Sequence, residues 1–111
     1  MDAEQRDLLL SMAYLYLACG HERRALPLLL LVAEERPADL DCLRALAHAY
    51  TAAGQGDLAM AVIERLEALD LDPDSRGLLL LRSRALYHQS RLAEARACFS
   101  RYASAPAGHA A

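Results

Sequence analysis

At 111 residues the chain has room for one domain of ordinary size, and at 55% hydrophobic with 24% charged residues it is too apolar for a disordered segment. A net charge of −3, with no basic stripe interleaved by aromatics, argues against nucleic acid as a partner. One Phe and no Trp leave the core to Leu and Ala, both good helix formers, so the expected fold class is all-α.

The first predicted helix covers residues 3–19. Asp2 and Gln5 have the spacing of a capping box at its start. From Leu8 to Ala18 it is apolar around nearly its whole circumference, interrupted by Ser11. A helix apolar all round is buried on all sides. One neighbouring helix covers one side, so the other needs a partner or a second copy. Gly20 is placed to end the helix in the left-handed conformation, and the charged run Gly20-His21-Glu22-Arg23-Arg24 reads as a solvated turn.

The second helix is predicted over 22–36. Ala25 is small where two helices cross closely. Pro27 lies beyond the first turn, where proline costs roughly 3 kcal/mol, so the helix either starts later or kinks there. Pro37 closes it, and Asp39 is placed to cap a third helix over 40–53. Gly54 ends that helix as Gly20 ends the first. A fourth covers 57–71, Pro73 follows, and Asp74 or Ser75 caps a fifth over 75–89. A sixth runs over 92–103. Residues 104–111 have no periodicity and are expected to be a mobile tail.

The pattern repeats. Tyr16, Gly20 and Ala25 recur as Tyr50, Gly54 and Ala59, an interval of 34 residues. A third copy, Leu86, Ser90 and Ala95, follows 36 residues later, and Pro37 and Pro73 are also 36 apart. Two extra residues therefore fall between Ala59 and Pro73. Helical pairs at this period indicate a solenoid.

The repeat resembles the tetratricopeptide repeat. Leu9, Tyr16, Gly20, Ala25, Leu29 and Pro37 match in the first copy, and Leu43, Leu46, Tyr50, Gly54, Ala59, Ile63 and Pro73 in the second. The third keeps Leu79, Ala95 and Phe99 but has Arg82 and Ser83 where Leu-Gly or Leu-Ala is usual. The likeness covers residues 5–103 and implies one domain over 1–103, with repeats at about 5–38, 39–74 and 75–103. Within that superfamily the chain is similar to the cytosolic chaperones of bacterial type III secretion, of the YscY type. Three bare repeats and a first turn reading Cys19-Gly20-His21 with Arg24-Ala25 carry this likeness. It implies a small export protein of the YscX type as partner, an export-gate component reached through that partner, and no cofactor. Chaperones of a needle or translocator subunit are the neighbouring alternative.

In the tetratricopeptide arrangement the first helix of each pair lines a concave groove. Carried over, the partner-binding positions are Leu10, Tyr14 and Leu17, then Arg44, His48 and Thr51, then Leu80, Arg84, Tyr87 and His88. An apolar wall would face a polar one, suited to an amphipathic helix or an extended segment. The clamp by which such domains hold a C-terminal carboxylate uses Lys, Asn and Arg, and this chain has no Lys and no Asn. That ligand class is excluded. Capping elements normally close the ends of solenoids; none is expected after Phe99 and Tyr102, which points to an obligate complex.

The remaining chemistry is sparse. His48 and His88 have no companion at ligand spacing, and Cys19 with His21 offers too few ligands for a metal. Cys19 is expected in the core. Tyr16 and Tyr50 read as repeat packing, whereas Tyr14 and Tyr87 read equally as packing or partner contact. Glu34-Glu35-Arg36 and Glu64-Arg65 read as solvated outer faces, and Arg82, Arg84 and Arg91 as a positive bias for acidic partner residues. Glu34 and Glu35 do not share a helix face, no nucleophile sits beside a base, and an enzyme is not expected. The three cysteines include no C-x-x-C, which fits a reducing compartment. Met1-Asp2-Ala3-Glu4 lacks the basic start of a signal peptide. Leu26 to Ala33 is too short for a bilayer, which needs ~20 apolar residues. The absence of Lys and Asn fits GC-rich bacterial coding, so a bacterial cytosol is the expected location. The functions considered are an export chaperone, a scaffold that homodimerises through its first helix, and, far behind, a helical enzyme subunit.

Overall fold

A computed structural model describes residues 1–69 and 76–105. Among them are six α-helices and no strand: α1 (Ala3–Ala18), α2 (Glu22–Glu35), α3 (Leu40–Ala52), α4 (Gly56–Leu69), α5 (Arg76–His88) and α6 (Leu92–Ser104). The all-helical reading of the sequence holds. The predicted fourth and fifth helices reach into 70–75, so their outer ends, with Pro73, Asp74 and Ser75, lie outside the described residues. So do residues 106–111 of the predicted tail, whereas Ser104 is the last residue of α6.

Each helix packs on the next in the chain, and the odd helices also meet one another, α1 with α3 and α3 with α5. The even helices do not touch each other among the described residues. The core follows this order and is strung along the molecule in two clusters. Ala13, Ala25, Leu29, Val32, Cys42 and Leu46 join α1, α2 and α3. Leu43, Ile63, Leu66, Leu78, Leu86 and Cys98 join α3 to α6. Tyr50 and Val62 pack against both.

The turns explain why the chain folds back at regular intervals. At the end of α1, Gly20 N–H donates to the Leu17 carbonyl (3.1 Å) and His21 N–H to Tyr16 (2.8 Å). This is the Schellman pair of bonds, which satisfies the last carbonyls of a helix and needs a left-handed residue. The same two bonds close α3, from Gly54 to Thr51 and Gln55 to Tyr50, and α5, from Ser90 to Tyr87 and Arg91 to Leu86. Gly20 and Gly54 have φ of 76° and 74°, and Ser90 is forced to 62° despite its side chain. The residue after each turn accepts the first bond of the next helix: Ala25 N–H donates to His21, Ala59 to Gln55, Ala95 to Arg91.

The two predicted caps that fall among the described residues form. Asp2 accepts from Gln5 N–H at 2.8 Å while Gln5 Oε1 accepts from Asp2 N–H at 3.0 Å. Asp39 accepts from Cys42 N–H at 3.1 Å. Pro27 neither delays α2, which begins at Glu22, nor interrupts its assigned span. Pro27 and Arg23 are both exposed, so the Arg23 carbonyl that loses its intrahelical donor lies beside solvent. The departures at Arg82 and Ser83 are accommodated. Arg82 pairs with Glu67 of α4, and buried Ser83 donates to the Ala95 carbonyl at 3.3 Å.

Candidate protein-binding surface

The orientation of α1 is set at its start. Arg6 reaches across to the first turn of α3, giving Nε to Asp39 Oδ2 (2.8 Å) and Nη2 to Asp39 Oδ1 (2.9 Å). It also meets Asp41 at 3.0 Å and its neighbour Asp7 at 2.8 Å. The Arg6 guanidinium holds the Asp39 carboxyl below the usual carboxylate range, and the three carboxylates push Arg6 further up. Bidentate charge-assisted bonds fix geometry as well as energy. A planar fork across two helices therefore sets their register, and no local spacing announces it.

That register brings four of the predicted partner-binding residues together. Tyr14 and Leu17 of α1 face Arg44 and His48 of α3 across a cleft of about 320 Å³, lined also by Ala18 and Ala45. Tyr14, Arg44 and His48 are exposed there and Leu17 is half-buried. The Tyr14 hydroxyl leans 3.4 Å from the Asp41 carbonyl, and burial, then the charge of Asp41, raises its pKa. Arg84, Tyr87 and His88 line a second and larger cleft, about 610 Å³, between α5 and α6. Tyr14, His48 and Arg84 occupy equivalent repeat positions on three successive odd helices, and all three are exposed.

Two of the predicted partner-binding positions are corrected. Leu10 is only 4% exposed, buried in the core beside Ala13, and Thr51 is 4% exposed with its hydroxyl given to the Ala47 carbonyl. Neither can line a groove, because the odd helices pack closely enough to bury them. Leu80 is half-buried and lines neither cleft. Cys19 is not in the core: it caps α1 at an exposed turn, and the buried cysteines are Cys42 and Cys98. Burial pushes the Cys42 thiol up to about 11, and it lies 3.3 Å from the Leu29 carbonyl. Of the three arginines read as a positive bias, Arg82 is taken by Glu67 and Arg91 by Glu94, which leaves Arg84. The outer faces are partly engaged as well, since Glu35 meets the N-terminal amine at 2.8 Å and Arg65 donates to the Pro37 carbonyl at 3.0 Å.

The larger cleft adds residues that the sequence reading had not assigned to a site: Leu92, Arg96, Phe99 and Ser100. Phe99 is half-exposed, whereas Leu29 and Ile63 at the same repeat position are fully buried. Among the described residues no three of His, Cys, Asp or Glu come together as a metal would require, and no helix is long and apolar enough to cross a membrane. No protein-family model matches the sequence, and no curated protein matches it.

Proposed function

We propose that this chain is a protein-binding module of tetratricopeptide type, three helix pairs in a short solenoid, acting as a bacterial type III export chaperone for a small helical partner. The observation that carries the reading is the cleft joining Tyr14 and Leu17 to Arg44 and His48, continued in register by Arg84. A row of exposed aromatic, imidazole and guanidinium groups with an apolar lining suits one face of an amphipathic helix. Apolar side chains enter the cleft while acidic ones meet Arg84. Burying the partner's apolar surface keeps it from aggregating in the cytosol until the export machinery takes it over.

The test is a pull-down of the tagged chain from an extract of its own cells, followed by mass-determined stoichiometry. A one-to-one complex that Tyr14→Glu abolishes, with helicity retained, supports the reading. A complex indifferent to Tyr14→Glu and to His48→Glu refutes the cleft. Recovery of the chain without any partner refutes the chaperone role.

A further inference from the structure

The two ends of the stack carry apolar residues at positions that the interior of the stack buries. On α1 these are Leu8, Met12 and Leu15, with Leu15 67% exposed. Their equivalents on α3 are Cys42, Leu46 and Ala49, all buried against α1 and α2. Two of the equivalents on α5, Leu78 and Ala85, are buried in the cluster that α5 shares with α3 and α4. The face that α3 and α5 use to dock on the preceding pair is therefore present on α1 with nothing against it among the described residues.

The opposite end is the receiving half of the same contact. The groove of α1 and α2 receives α3, and that of α3 and α4 receives α5. The groove of α5 and α6 is the open 610 Å³ cleft, where Phe99 remains 50% exposed in the place of buried Leu29 and Ile63. Charge follows the same register. Arg76 stands in α5 where Arg6 stands in α1, and Arg6 clamps Asp39 and Asp41 of the incoming helix. The Arg76 guanidinium lies 4.2 Å over the Tyr102 ring, and its buried Nε has no hydrogen-bond partner. Asp7, the α1 equivalent of Asp41, has a side chain 65% exposed.

We infer that a second copy of this chain docks head to tail, its α1 lying in the α5–α6 cleft of the first. Leu8, Met12 and Leu15 then cover Phe99 and Leu92, and Asp7 faces Arg76. The inference rests on the helix-pair register and not on the export reading. The contact is looser than its interior counterparts. At the interior level of Ala85, Gly56 leaves no room for a Cβ, which would sit 2.7 Å from the Ala85 carbonyl oxygen. Between copies that level becomes Leu15 against Leu92, so the backbones stand further apart. The assembly is reversible, and being heterologous it does not close at a dimer.

Sedimentation velocity of the full chain over a rising concentration series tests this. The mean mass is expected to grow past twice 12.2 kDa without a plateau. Leu15→Glu and Phe99→Glu each remove one exposed face, so each variant alone should stay monomeric. Mixed, they retain one intact pair of faces and should form a one-to-one dimer that grows no further. Circular dichroism of each variant checks that the helices persist. A monomeric wild-type chain at about 1 mM, too weak even for a millimolar contact, overturns the inference. Phe99→Glu copies that still dimerise would also overturn it, because a symmetric contact through α1 needs no cleft.

Discussion

Replacing Ser90 by Gly relieves a left-handed residue that carries a side chain, at φ 62° in the turn between α5 and α6. For an L-residue this conformation costs roughly 1–2 kcal/mol through contact of Cβ with the following carbonyl. Glycine removes that cost but adds freedom to the unfolded chain, worth about 0.4–1 kcal/mol against the variant. The difference favours Ser90→Gly by about 0.5–1 kcal/mol, or roughly 2–5 °C in Tm for a chain of this size. The first turn supplies the control. A Cβ at Gly20 would meet nothing within 4 Å, so Gly20→Ser carries the conformational term alone and should lose a similar amount. The assay is thermal unfolding followed by circular dichroism, with urea titration to check that the m-value is unchanged. Ser90→Gly that lowers Tm, or Gly20→Ser that leaves it unmoved, would refute the reasoning that the third turn is strained where the first two are not.

Asp39→Ala removes the α3 cap and the anchor of Arg6 together, and should cost about 2 kcal/mol in urea denaturation. Because Arg6 depresses the folded-state pKa of Asp39, its contribution is present above the ordinary carboxylate pKa and is lost as pH falls through the lower folded value. The stability gap between wild type and Asp39→Ala should therefore narrow in acid; a gap constant from neutral pH into strong acid would contradict the clamp. Gly56→Ala gains less than the roughly 1 kcal/mol of a helix interior, because Gly56 opens α4, and its Cβ would lie 2.7 Å from the Ala85 carbonyl oxygen and 3.0 Å from His88 Cβ. Overpacking of that kind costs about 1–3 kcal/mol, so net destabilisation is expected, and a more stable variant in the same titration would disprove the close approach. Pro27→Ala restores a helical N–H in α2 and should stabilise by up to about 3 kcal/mol, read as a rise in Tm; no rise would mean that α2 already tolerates the missing bond.

Much of the architecture was legible because the chain punctuates itself with local chemistry. Gly20, Gly54, Asp2 and Asp39 act within a few residues of themselves, and each end that they mark was found within a residue or two. Burial was harder to read. Leu10 and Tyr14 are both large and one turn apart on α1, yet the first is buried and the second exposed. The angle at which α3 crosses α1 decides between them, and that angle depends on Arg6 meeting Asp39 across 33 positions of sequence. Cys19 failed for a related reason, since an apolar residue at a helix end is buried only if the following turn bends over it. Phe99 was read as standing at an uncapped end, but the cleft that it shares with Tyr87 and Leu92 was not, because that cleft depends on how α6 packs on α5.

The core is strung in two clusters that meet on α3, which gives Leu43 and Ala47 to one and Cys42, Ala45, Leu46 and Ala49 to the other, with Tyr50 and Val62 packed against both. Most packing is between helices adjacent in the chain, so opening one end leaves the far cluster intact. Amide protection should then fall in a gradient from α3 outward, with α3 the slowest to exchange because it alone contributes to both clusters as an odd helix touching two others. A helix laid along Tyr14, His48 and Arg84 would span both clusters at once. Occupancy would weld the halves into one cooperative unit, and its departure would return the chain to fraying from either end.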